Sequence, residues 1–188
     1  AYTSIDDPSA YFQATEYTGT GATQSVGNIG NSDLKPDWVW IGGRGFDNNS
    51  IFDSSRGATK ELVSNGNNAE ATDAQLLTQF DTDGFTVGTN GGVNGSGDGY
   101  IAWQWKANGG TTSSNTAGNV TNTLQANTTA GFSISTFTSA SSGNTTFGHG
   151  LGVTPAMFIL KARNQGYGWW INHKGLANQS DRYVGLHT

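Results

Sequence analysis

The chain has 188 residues and a net charge of −5, with nine lysine and arginine residues against fourteen aspartate and glutamate residues. This balance excludes a large basic face of the kind that neutralises nucleic-acid phosphates, so we expect no nucleic-acid partner. The absence of cysteine excludes disulfides, thiolate metal sites and thiol catalysis. No apolar run approaches the roughly 18 residues that would cross a membrane. We therefore expect no membrane insertion.

The chain is predicted to be all-β. Glycine supplies 28 residues and charged residues only 12%, which favours turns and short strands, while 11% aromatic residues provide surface for a core. Residues 1–10 are predicted to form an extended lead-in, because Pro8 restricts the residue before it. Strand candidates bounded by turn residues follow in chain order at Tyr11–Tyr17, Thr23–Val26, Trp38–Ile41, Ser50–Asp53, Phe85–Val87 and Tyr100–Lys106. Segments 59–64 and 72–78 suit either helical turns or strands. Together, residues 11–107 make a first β-sandwich module.

Tryptophans occur in alternating pairs on two of these strands. Trp38 and Trp40 project from one face of their strand, and either a carbohydrate site or core packing would explain them. Core packing is favoured, because apolar residues also fill the alternate face. In the last strand, Ile101, Trp103 and Trp105 share one side, which we predict to face the core.

A repeat suggests a second module. Residues 108–130 are rich in Gly, Ser, Thr and Asn, the composition of a flexible linker or a long surface excursion, and we place the domain boundary there. Beyond it, Pro36 and Arg44 recur as Pro155 and Arg163, in both cases 119 residues later, around a similar apolar run. A period this long is typical of a duplicated domain in a tandem array. Residues 131–188 are therefore predicted to be the start of a second, partial module, and the chain a fragment of a longer protein.

Four motifs of the first module carry a family resemblance. They are Pro36-Asp37-x-Val39-Trp40-Ile41-x-x-Arg44, Phe52-Asp53-Ser54-x-Arg56-Gly57-Ala58-Thr59-Lys60, Phe80-Asp81-x-Asp83-Gly84-Phe85-Thr86-Val87-Gly88 and Tyr100-Ile101-Ala102-Trp103-x-Trp105-Lys106. Together they resemble a module of tail-fibre and other virion structural proteins of tailed phages, especially phages of marine bacteria. The opening of the second copy, residues 148–163, looks like the same family and keeps at Lys161 a lysine common there. The resemblance implies tandem β-sandwich modules, jelly-roll or lectin-like, and no catalytic residues carry over from it.

Candidate ligand contacts lie in the second copy. Trp169 and Trp170 are adjacent and must point in opposite directions if they lie on a strand, so at least one is a candidate for a surface that stacks on a sugar ring. Lys161 joins them through the family resemblance. We take these three residues as the predicted binding site.

Metal binding and catalysis have weaker signals. Asp81 and Asp83 flank a turn as calcium ligands would, but no further oxygen ligands and no closing glutamate follow, so an ordinary Asp-rich turn is favoured over structural calcium. The three histidines, His149, His173 and His187, are scattered, and no Gly-x-Ser-x-Gly nucleophile elbow occurs. We predict no cofactor and no enzymatic activity.

The expected function is therefore structural and adhesive. The resemblance implies a virion protein, in a tail fibre or on the particle surface, that assembles as a homotrimer, contacts other virion proteins and binds a host surface glycan. Two alternatives stay open from the residues alone. One is an extracellular carbohydrate-binding module attached to a secreted enzyme, and the other is a tailspike-like polysaccharide depolymerase.

Overall fold

A computed structural model describes residues 5–45, 49–177 and 183–186. Within these ranges the chain forms strands joined by turns, with one 3-10 helix at Pro8–Ala10 and one short helix, α1, at Gly91–Asn94. The strands in chain order are β1 Phe12–Thr18, β2 Gln24–Val26, β3 Trp38–Gly43, β4 Asn49–Asp53, β5 Lys60–Val63, β6 Ala71–Thr72, β7 Leu77–Phe80, β8 Phe85–Val87, β9 Gly99–Trp105, β10 Ser113–Asn115, β11 Asn122–Asn127, β12 Phe132–Phe137, β13 Met157–Leu160 and β14 Trp170–His173. The all-β prediction is confirmed.

The first part of the chain is a sandwich of two antiparallel sheets. Six strands pair in the order β1-β9-β3-β4-β5-β6, and a second sheet has the order β2-β8-β7. The inner face of the six-stranded sheet packs on the second sheet through fully buried side chains that include Val39, Ile41, Phe52, Phe85 and Val87. Strand geometry explains this packing, because every second side chain points the same way, so that Val39 and Ile41 of β3 face Phe85 and Val87 of β8.

The prediction that Ile101, Trp103 and Trp105 of β9 face the core is wrong. Tyr100, Ala102 and Gln104 are buried on the inner face, whereas the row that contains Trp103 and Trp105 is only partly buried. A glutamine is tolerated in this core because Gln104 Nε2 donates to Asn28 Oδ1 at 2.5 Å and to Thr15 Oγ1 at 3.1 Å. Polarity alone therefore pointed to the wrong side of the strand.

The outer face of the six-stranded sheet carries the tryptophans of β3 and β9. Trp40 and Trp103 meet edge to face, with ring centroids 5.8 Å apart. Phe132 of β12 stacks on Trp105 with centroids 6.2 Å apart and meets Trp38 edge-on at 6.4 Å. The later part of the chain thus covers much of the outer face, which supports packing over a carbohydrate site for these rings.

The prediction of a flexible linker at 108–130 is also wrong. It contains β10 and β11, which form a three-stranded antiparallel sheet with β12. Leu124 and Gln125 of β11 are buried, and Gln125 Nε2 donates to the hydroxyls of Ser54 and Ser55 at 2.9 and 2.7 Å. This polar segment can pack as strands because its buried amide finds hydrogen-bond partners on the first sandwich.

The predicted extended lead-in is ordered at its end as well. In the described part of residues 1–10, Asp7 caps the 3-10 helix at Pro8–Ala10, and its carboxylate accepts hydrogen bonds from the Ser9 and Ser32 hydroxyls, both at 2.6 Å. The placement of a boundary between two modules stays a prediction.

An ion-pair network joins the first sandwich to the segment after β13. The Arg56 guanidinium pairs with Asp53 and lies 3.2 Å from Glu70 Oε2, while Arg163 Nε donates to the same Glu70 oxygen at 2.8 Å. The backbone takes part too, because Glu70 N donates to Arg163 O at 2.7 Å. Glu70 is therefore one of the residues that tie the two parts of the chain together.

This network predicts a pH-dependent stability. Burial alone would raise the pKa of the Glu70 carboxyl, but hydrogen bonds and charge from Arg163 and Arg56 together outweigh it and hold the pKa below its ordinary value of 4.5. A depressed folded-state pKa stabilises the fold above the unfolded pKa, and this contribution is lost as the pH falls through the folded value. We expect the free energy of unfolding of the native protein to fall more steeply below about pH 4.5 than that of Glu70→Gln.

Urea unfolding of both proteins at about pH 7 and about pH 3.5 measures this difference. Glu16→Gln removes one negative charge from an exposed pair with Arg44, whose closest atoms lie 3.8 Å apart, and controls for net charge. Parallel pH profiles for the native protein and Glu70→Gln would contradict the assigned role of Glu70.

Candidate ligand-binding cleft

An aromatic cleft lies beside the hairpin of β13 and β14. It has a volume of about 510 Å³ and is lined by Leu160, Ala162, Tyr167, Gly168, Trp169, Trp170 and Tyr183. Three of these aromatic residues are exposed to solvent, with exposed fractions of 63% for Tyr167, 48% for Trp170 and 56% for Tyr183. A second cleft of about 220 Å³ at the Glu16–Arg44 pair is smaller and more polar. The aromatic cleft is the better candidate for a binding site, because it is larger and its rings offer contact area.

The two adjacent tryptophans have opposite environments. Trp169 is only 2% exposed, packs with Ile51 and Leu62, and donates from Nε1 to Val63 O at 2.8 Å. Trp170 begins β14 and points outward. Trp169 is therefore corrected from a surface contact to a core residue that forms the floor of the cleft, because the accessible part of its ring is too small to stack on a sugar.

Trp170 and Tyr183 form a stacked pair. Their ring centroids are 4.2 Å apart and their planes differ by 24°. The backbone next to them holds this arrangement, since Ile171 and Val184 exchange two hydrogen bonds of 3.0 and 2.9 Å. Each ring thus keeps one face against the other ring and leaves other surface accessible. Sequence reasoning did not single out Tyr183, because only this tertiary bridge brings it to Trp170.

Comparison with known proteins adds a family. A family described as a domain of unknown function, DUF7483, matches residues 7–188. The chain belongs to this family. No curated protein and no solved structure matches the chain. DUF7483 therefore covers both the first sandwich and the aromatic cleft without supplying a ligand or an activity.

Lys161 of this DUF7483 chain lies next to the cleft in the turn after β13. Its Nζ donates to Ala162 O at 2.8 Å and approaches Gln165 O at 3.4 Å, and burial lowers the pKa of its amine. These bonds hold the turn from which Tyr167 and Trp169 continue. A ligand contact from Lys161 stays a prediction.

The Asp81 and Asp83 turn of the DUF7483 chain lies in the first sandwich. The Asp81 carboxylate accepts hydrogen bonds from Gln79 at 2.6 Å, Thr86 at 2.7 Å and Ser25 at 3.1 Å, and Asp83 Oδ1 accepts from Leu34 N at 3.1 Å. Both side chains thus connect strands and turns. In the described ranges, no group of three or more His, Asp and Glu side chains is placed to hold a metal ion.

The histidines of the described chain are not brought together. His149 Nδ1 accepts from Leu151 N at 3.2 Å and His173 Nδ1 accepts from Gly175 N at 3.0 Å, so each supports its own turn. His187 lies outside the described residues. Among the described helices, none has the length and apolar character required to span a bilayer.

Proposed function

We propose that this chain is a structural and adhesive module of a tailed-phage virion and that its aromatic cleft binds a host surface glycan. One observation carries the glycan part of the proposal, namely the solvent-facing stack of Trp170 and Tyr183 at the edge of a cleft of about 510 Å³. The virion part rests on the resemblance of the sequence motifs to tail-fibre modules. That resemblance also supports assembly as a homotrimer, which sedimentation of the intact protein as a stable monomer would contradict.

The chemistry of the cleft suits an uncharged sugar. None of its seven lining residues carries a charge, and the amine of the neighbouring Lys161 donates to carbonyls of its own turn, so the lining itself offers no counter-ion for a phosphate or carboxylate. Flat aromatic rings provide a large apolar contact for the C–H face of a pyranose, and the hydroxyls of Tyr167 and Tyr183 are available to exchange hydrogen bonds with sugar hydroxyls. The volume falls in the range of about 300–1,000 Å³ that is usual for small-molecule sites.

Replacing Trp170 by alanine is the test of the proposal. We expect binding to a glycan array and to host cells to weaken by about tenfold or more, because the exposed ring supplies much of the contact area. Stability should fall by only about 1 kcal/mol, the worth of one aromatic pair with Tyr183. Glycan titration by calorimetry and urea unfolding measure the two quantities.

Phe12→Ala is the matched control, because Phe12 is an exposed ring, 39% accessible, that packs against Trp105 at a tilt of 51° away from the cleft. It should leave glycan binding unchanged. No binding by the native protein would instead indicate a spacer or particle-wall component, and equal binding by native protein and Trp170→Ala would place the glycan site outside the cleft. Release of reducing ends from host polysaccharide would favour a depolymerase.

A further inference from the structure

The strand β13 has one unpaired edge among the described residues. It pairs with β14 on one side only, in the register Met157↔His173 and Ile159↔Ile171. Lys174 N donates to Ala156 O at 2.8 Å, so Ala156 and Lys174 form a hydrogen-bonded pair of this ladder. Hydrogen-bonded and non-hydrogen-bonded pairs alternate between antiparallel strands, so the next residue, Met157, and then Ile159 belong to non-hydrogen-bonded pairs. The N–H and C=O groups of Met157 and Ile159 therefore point away from β14. No residue in the described ranges pairs with these groups.

The corresponding edge in the first copy is occupied. The repeat of 119 residues places Met157 and Ile159 on Trp38 and Trp40 of β3, and β3 pairs with β4 as β13 pairs with β14. Ser54 N donates to Asp37 O at 2.9 Å, which sets the same alternation there. The backbone groups of Trp38 and Trp40 therefore point to β9, which is paired to them through Trp105 and Trp103.

The side chains show the same difference. Val39 and Ile41 of β3 are 0% and 1% exposed, whereas their counterparts on β13, Phe158 and Leu160, are 52% and 39% exposed. These apolar positions are thus core positions in one copy and surface positions in the other. The β13 edge also lacks the charges, prolines and bulges with which proteins usually block a free edge, since Met157–Leu160 is wholly apolar.

We propose that the free edge of β13 binds an extended antiparallel polypeptide segment with the residue pattern of β9. Main-chain bonds to Met157 and Ile159 would add this segment to the hairpin, and its alternate side chains would cover Phe158 and Leu160. A folded second copy cannot donate its own β9, because that strand is hydrogen-bonded to β1 and β3 on both edges. The occupant is therefore a polypeptide segment that is not already engaged in a sheet. This protein-binding edge adjoins the glycan cleft, because Leu160 also lines that cleft.

A peptide with the sequence of residues 98–106 serves as the probe, because it contains β9 between two charged residues, Asp98 and Lys106. Fluorescence anisotropy of the labelled peptide with the intact protein should show saturable binding, and a scrambled peptide should not bind. Met157→Pro should weaken binding by about tenfold or more, because it removes an edge N–H and leaves the bonds to β14 in place.

Met157→Ala is the matched control, because it removes the same half-exposed side chain and keeps the N–H. It should bind the peptide within about threefold of the native protein. Phe158→Asp provides a second test that does not rely on proline and should also weaken binding. Hydrogen exchange should show new protection of the Met157 and Ile159 amides when the peptide is present.

Three outcomes would overturn the inference. The first is the absence of saturable binding to the native protein. The second is equal binding by Met157→Pro and Met157→Ala, which would place the peptide elsewhere. The third is concentration-dependent dimerisation of the native protein that Met157→Pro abolishes without any peptide binding, since the edge would then pair with its own copy.

Discussion

Replacing Arg56 by alanine is expected to lower the free energy of unfolding by about 3–5 kcal/mol, the usual effect of breaking a buried ion pair by removing one partner. The Arg56 and Asp53 side chains are only 2% and 4% exposed. The guanidinium also donates to the carbonyls of Lys60 and Ile51 at 3.0 and 3.1 Å. Alanine would therefore leave the buried Asp53 carboxylate without its counter-ion, with the backbone N–H of residue 56 still donating to it, and would remove the donor to two carbonyls. Urea unfolding at neutral pH measures the change.

Arg44→Ala provides the comparison. Arg44 pairs with Glu16 across 3.8 Å, and the two side chains are 84% and 74% exposed. Water screens a pair of this kind, so its loss should change stability by less than about 1 kcal/mol. If the two arginine variants were equally stable, the Arg56 network would contribute no more than a surface pair.

The second large effect is expected for Trp169→Ala. A fully buried tryptophan that becomes alanine costs about 3–5 kcal/mol, because apolar contacts are lost and a cavity remains. The cavity would open between the hairpin and the outer face of the six-stranded sheet, beside Ile51 and Leu62. The carbonyl of Val63 would also lose the indole donor. Thermal or urea unfolding gives the magnitude.

Trp170→Ala is the control, because it removes a neighbouring tryptophan that is not buried. Trp170 is 48% exposed and stacks on Tyr183, so the same substitution should cost about 1 kcal/mol in stability. A near-neutral Trp169→Ala with a strongly destabilising Trp170→Ala would show that the two side chains are exchanged. Both results together test which ring is structural and which is available to a ligand.

Both predictions concern the contacts between the first sandwich and the later strands, which we call the junction. The network of Arg56, Glu70 and Arg163 and the packing of Trp169 both attach the later strands to the first sandwich. If the junction is cooperative, Arg56→Ala and Trp169→Ala should each unfold the chain in a single transition. Loss of the junction would also displace the aromatic cleft, because Trp169 forms its floor.

Local patterns were sufficient for the strands but not for every face. An apolar run located β3 in the sequence, and Phe85 and Val87 on one face located β8, because side chains on a strand repeat with a period of two. Alternation did not decide which face of β9 is buried, since Gln104 is polar and lies on the buried side. Its partners, Thr15 and Asn28, come from distant parts of the chain, and only their arrival satisfies the amide.

In the candidate cleft, too, some features follow from local sequence and others only from tertiary contacts. Adjacency alone required Trp169 and Trp170 to point in opposite directions on a strand. Which of them is buried depends on the approach of Ile51, Leu62 and Val63. The contribution of Tyr183 depends on a bridge between Ile171 and Val184, which no local pattern announces.

The sequence by itself determined the all-β class, several of the strands, and the recurrence of Pro36 and Arg44 as Pro155 and Arg163, on which the alignment of β13 with β3 rests. These properties depend on composition and on neighbours in the chain. The tertiary structure decided that the polar segment 108–130 contributes β10 and β11, that Trp169 belongs to the core, and that Phe158 and Leu160 of β13 are exposed. The reason is physical, because burial and hydrogen-bond satisfaction are properties of residues brought together from far apart in the chain.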